Sequence, residues 1–170
     1  VYLVMAAGAK TLVEQRLAPV LAEQGLEDAP LLVQPTPFNT LLWRATVIDG
    51  DRYYESLISI LDGDHMPRLE TLIRNTELED VALASHQGQR LHWFAGPFLR
   101  YETRQLEGNE TLIATDIRLG FPGYHPFSFT LAALSNETWE PVGTTQEVDN
   151  PRDIRIETLA RLAARARGNA

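Results

Sequence analysis

Over the first 26 residues the apolar positions change pattern once. Val1 to Ala9 is apolar on every side, whereas Lys10 to Leu26 sets Leu12, Val13, Leu17, Val20 and Leu21 at helical spacing, with Glu14, Gln15, Arg16 and Glu23 between them. One helix that changes character partway is predicted. After the Gly25 turn, Leu31 to Gln34 is a short apolar stretch, and Pro35-Thr36-Pro37 enforces extended chain because a residue before proline disfavours helix. Asn39 to Ile48 and Tyr53 to Leu61 are rich in β-branched and aromatic residues. They flank Asp49-Gly50-Asp51-Arg52, where glycine can supply the positive φ of a tight turn, so a hairpin is predicted.

Pro67 to Arg74 reads as a short helix and Glu77 to Ser85 as a second, with Asn75 or Thr76 as its cap; Arg90 to Ala95 follows as an apolar or strand segment. Phe98 to Leu106 and Thr111 to Leu119 form another hairpin around Gly108-Asn109, and Phe127 to Leu134 is a further strand. Asn150-Pro151 opens a last helix carrying Ile154, Leu159, Leu162 and Ala163. Strands that succeed one another through tight turns pair antiparallel. The expectation is therefore an α+β fold: a mostly antiparallel meander sheet of five or six strands, with N-terminal, central and C-terminal helices, in one domain spanning 1–170.

Composition narrows the function classes. A chain of 170 residues with 44% apolar and 22% charged residues buries a core of its own. The absence of Cys removes disulfides, thiolate ligands and Cys nucleophiles. A net charge of −8 argues against nucleic acid as a partner, since phosphate backbones are met by clustered Lys and Arg. The positive charge that exists gathers at the end: Arg152, Arg155, Arg161, Arg165 and Arg167 against Asp153 and Glu157 leave the last 20 residues at +3. A membrane surface would be met there.

No phosphate loop, dinucleotide fingerprint, His-Glu-x-x-His or Gly-x-Ser-x-Gly occurs. His86, His92 and His125 are scattered without ligand spacing. Asp62, Asp64 and His65 are the best local oxygen and nitrogen set for a divalent metal, and they equally suit an ordinary polar turn. Arg44, Asp116 and Arg118 stand inside apolar strands, where a charge is costly unless paired or solvated in a cleft. Asp116 and Arg118 share a face of one strand, so Asp116 could pair with Arg118 or with Arg44.

The blocks Pro35-Thr36-Pro37-Phe38-Asn39-Thr40-Leu41-Leu42-Trp43-Arg44, Tyr53-Tyr54-Glu55, Ser59-Ile60-Leu61-Asp62, His92-Trp93-Phe94 and Thr115-Asp116-Ile117-Arg118-Leu119-Gly120 resemble, in order, the C-terminal region of the YdjM-like family. These are bacterial inner-membrane proteins assigned as metal-dependent hydrolases. Ile117 and Leu119 stand where that family usually has Leu and Phe. The resemblance implies a parent with N-terminal transmembrane helices, whose histidine and acidic residues lie in the membrane part, and a soluble tail on the cytoplasmic side. It also resolves the opening run toward membrane: residues 1–9 read as the cut end of a span, too short to cross a bilayer alone, rather than as a core helix. Ligand-binding candidates are then Asn39, Arg44, Tyr54, Ser59, Asp116 and Arg118, the arginines holding an anionic group. A divalent metal would belong to the membrane part, and the tail alone would be inactive. The expected partners are that transmembrane region and either another protein or a second copy of the chain. A non-catalytic interaction or regulatory domain is the alternative.

Overall fold

A computed structural model describes residues 2–36, 40–122, 124–143, 145, 147–148, 162 and 164–168, and of residues 2–4 the backbone. The chain divides into two compact units: Val1–Leu72 with Asp153–Ala170, and Ile73–Arg152.

The first unit begins with α1 (Tyr2–Glu23), followed by β1 (Leu31–Pro35), β2 (Leu42–Asp49), β3 (Arg52–Ser59) and β4 (Glu70–Ile73) in one sheet of that order. The predicted stripe is the one used except at Leu12, which is 37% exposed. Val13, Leu17, Val20 and Leu21 are buried, and Val13, Leu17 and Leu21 pack with Leu26 on Val33, Trp43, Ala45, Val47 and Ile58 of the sheet. Alternation along β2 and β3 puts Arg44, Thr46, Tyr53, Glu55 and Ser59 on the other face, which is buried as well. Away from the Asp49–Arg52 turn, β2 and β3 therefore have water on neither face, whereas β1 and β4 at the edges stay largely exposed. Gly50, at φ 54, makes the tight turn and fixes the register at Asp49↔Arg52.

The second unit has a 3₁₀ turn (Thr76–Leu78), α2 (Glu79–Leu83), α3 (His86–Ala95), and β5 (Leu99–Leu106), β6 (Asn109–Asp116), β7 (Ser128–Ser135) and β8 (Thr138–Pro141) in sequential order. The β5–β6 turn places Glu107 and Gly108 at positive φ, and the β7–β8 turn does the same with Asn136 and Glu137. This is the primed-turn geometry that matches strand twist. A register shift opposite Leu112 and Ile113 adds one residue to β7, so Leu131 and Ala132 both join the core of Leu99, Tyr101, Leu112, Ala114, Ala82 and Ala95.

The α+β class holds, but the expected single meander of five or six strands is two four-stranded antiparallel sheets. Two local readings explain the difference. Pro67 to Arg74, expected as helix, contains the strand β4, because the outer edge of β3 offers unpaired backbone groups to a segment carrying Thr71 and Ile73. Arg90 to Ala95, expected as an apolar or strand segment, is the end of α3. Ser85 caps that helix by accepting from the Gly88 amide at 2.9 Å, and Gly96, at φ 59, closes it. In chain order, the 3₁₀ turn, α2 and α3 come between the last strand of the first ladder and the first strand of the second. No described helix is long and apolar enough to cross a membrane. Within α1, Met5 is 70% exposed. Of the last predicted helix, Asn150-Pro151, Ile154, Leu159 and Ala163 lie outside the described residues, while Leu162 and residues 164–166 are helical.

Candidate functional site

Each unit holds a buried charge in an internal ion pair. In the first, Arg44 is 1% exposed and its Nη1 lies 3.7 Å from Glu55 Oε1. The turn decides that meeting: with Asp49 opposite Arg52, Glu55 falls opposite Thr46, on the face and in the strand adjoining Arg44. Tyr54, one residue away, points to the opposite face and packs against the α1 core. It therefore does not share the Arg44 face.

Ser59 and Asp62 close the end of β3. The Ser59 hydroxyl donates to the Ala166 carbonyl at 2.8 Å and accepts from the Leu61 amide at 3.1 Å. Asp62 is 7% exposed and accepts from the Ser59 amide at 2.8 Å, while Arg165 grips both its oxygens, Nη2 at 2.5 Å from Oδ2. Arg165 Nη2 also donates to the Leu57 carbonyl at 2.9 Å, and from α1 Arg16 reaches the Ser59 carbonyl at 2.8 Å. Burial by itself would raise the Asp62 pKa. The hydrogen bonds from Arg165 and Ser59 and the charges of Arg165 and Arg16 outweigh it, and the carboxyl is held below its ordinary 3.8.

This geometry bears on the metal candidates. Asp62 has both oxygens committed to Arg165, Asp64 is exposed, and His65 places Nδ1 2.7 Å from the Asp62 carbonyl. The three side chains do not converge as a ligand set. Among the described residues no three His, Asp or Glu side chains gather where an ion could sit.

In the second unit, Asp116 at the end of β6 is 3% exposed and pairs with its neighbour Arg118, the nearer of the two alternatives. Arg118 Nη2 stands 2.6 Å from Oδ2 and Nε 3.0 Å from Oδ1, while the Arg118 amide donates to Oδ1 at 3.0 Å. Nη1 donates to the Phe94 carbonyl at 2.8 Å, satisfying a carbonyl at the end of α3, and the guanidinium lies 4.5 Å over the Phe94 ring. The Asp116 hydrogen bonds push the Arg118 pKa up, against desolvation. Asn39 lies outside the described residues.

Sequence reasoning passed over a further group here. Tyr101, 1% exposed, donates its hydroxyl to Glu79 Oε1 at 3.2 Å, and His92 Nδ1 lies 3.2 Å from the same oxygen. Burial first, then the charge and hydrogen bond of Glu79, push the phenol well above its usual range, with Arg74 pulling the other way. These residues come from α2, α3 and β5, so no sequence spacing could have joined them. Comparison of the chain with protein-family models, with curated proteins and with solved structures gives no match in any of the three.

Proposed function

We propose that this chain is the soluble C-terminal region of a membrane-bound metal-dependent hydrolase, located at the bacterial inner membrane, and that it serves its parent by binding or regulation rather than by chemistry of its own. The ordered blocks of resemblance around Trp43, Arg44, Asp116 and Arg118 motivate the parent. The observation that carries the non-catalytic role is the state of those charges. Arg118 is closed on Asp116 and on the Phe94 carbonyl, and Asp62 on Arg165, so these groups brace the chain instead of standing ready for substrate. In this reading the divalent metal and the acid–base groups belong to the membrane part.

The test uses the full-length parent in detergent. Bound metal and hydrolysis of a broad substrate panel are measured beside the isolated chain, and beside the parent carrying Arg44→Ala. The expected result is metal and turnover in the parent and none in the isolated chain. Hydrolysis by the isolated chain at the rate of the parent would overturn the proposal.

A further inference from the structure

The most exposed large apolar residues of the second unit lie side by side on α3: Trp93 is 85% exposed and Phe94 64%. Beside them a groove of about 320 Å³ runs between α3 and β7, walled by Leu91, Phe94, Phe129 and Leu131. Its size lies at the lower end of small-ligand sites, and such sites combine apolar walls with a few placed polar groups. Gln87, Arg90 and Thr145 are the polar residues of its lining. Arg90 lines the groove, is exposed, and makes no hydrogen bond or ion pair with any described residue, in a chain whose net charge is −8. Thr145 also lines it, and its buried Oγ1 has no hydrogen-bond partner. Among the described residues no Asp or Glu is part of the lining; Glu147, bridged to Phe129, is outside it. Arg118, neutralised by Asp116, lies over Phe94 and braces that wall.

The geometry points to a binding site for a small apolar carboxylate: a ring or branched chain against Phe94, Phe129, Leu91 and Leu131, and its carboxylate on Arg90. The apolar walls supply affinity by burial, and the single unpaired guanidinium selects the charge. This inference goes beyond the role proposed above and does not depend on it, because it concerns binding by the second unit whatever the parent does.

The probe is 3-phenylpropionate, with 3-phenylpropionamide as its neutral counterpart, titrated into the whole chain and followed by tryptophan fluorescence. Trp93, at the rim, should shift to shorter wavelength and saturate, and Trp93→Phe should remove most of that signal. The amide, and Arg90→Gln with the carboxylate, should each bind about tenfold more weakly, the scale of one charge-assisted hydrogen bond. Arg90 is exposed, so its replacement leaves the fold intact, which circular dichroism checks. Equal binding of acid and amide, an unchanged affinity in Arg90→Gln, or no saturable shift up to about 10 mM would overturn the proposal.

Discussion

Arg118 reaches back two residues to close on Asp116, and with its remaining amino group it holds the carbonyl of Phe94 at 2.8 Å. One side chain thus joins the end of β6 to the end of α3. Arg118→Ala would leave the buried Asp116 carboxylate without its main partner and the Phe94 carbonyl without its donor. We expect a loss of about 3 kcal/mol, the scale for breaking a buried pair, reduced somewhat because Arg118 is 25% exposed. Urea unfolding of the two proteins measures it, and a change under about 0.5 kcal/mol would remove the brace from this account.

The Arg44 and Glu55 pair calls for a double-mutant cycle. Arg44→Leu should cost about 3 kcal/mol, because it leaves a carboxylate that is 1% exposed beside an apolar side chain. Replacing both by Leu should cost less than the single change, since no buried charge then remains at either position. Simple additivity in the cycle would show that the two do not interact.

Asp62 makes stability depend on acid pH with a definite sign. Its folded pKa lies below the ordinary 3.8, so its contribution is complete above the unfolded value and fades as pH falls through the folded one. Asp62→Asn should therefore be less stable than the parent chain near neutrality, and the gap should close below about pH 4. Unfolding free energies at a series of pH values from neutral downward decide this; a gap that stays constant would assign the effect to packing.

Tyr101 has the opposite arrangement at alkaline pH. Burial and the Glu79 carboxylate raise its folded pKa, so its contribution is complete below the unfolded value near 10 and is lost as pH rises above it. Tyr101→Phe should flatten the fall in stability above about pH 10. Ultraviolet titration should also show one tyrosine fewer resisting ionisation in the folded variant.

Gly88 tests the packing of α2 on α3. A Cβ there would stand 1.9 Å from the Ala82 carbonyl oxygen, which is backbone and cannot swing aside. Gly88→Ala should destabilise by about 3 kcal/mol despite alanine's better helix propensity. A neutral or stabilising result in thermal unfolding would show that the two helices can separate at no cost.

Local chemistry made much of the fold legible. The α1 stripe, both hairpins with their glycine turns, and the antiparallel sense all follow from periodicity and from positive φ at Gly50 and Gly108, interactions within a few residues of one another. The sequence offered Asp116 as a partner for Arg44; the pair with Glu55 came from the register that the Gly50 turn sets along the hairpin. What only the tertiary structure decided involves distant segments. Pro67 to Arg74 yields a strand because β3 presents an open edge to it, and one expected sheet becomes two, the 3₁₀ turn, α2 and α3 following β4 in the chain before β5 opens the second ladder. Asp62 finds Arg165 across 103 positions, and Tyr101 on β5 finds Glu79 on α2. The charged residues of the motif blocks were visible as charges in strands. Whether each faced a ligand or another side chain depended on partners that only long-range packing brought within a few ångströms.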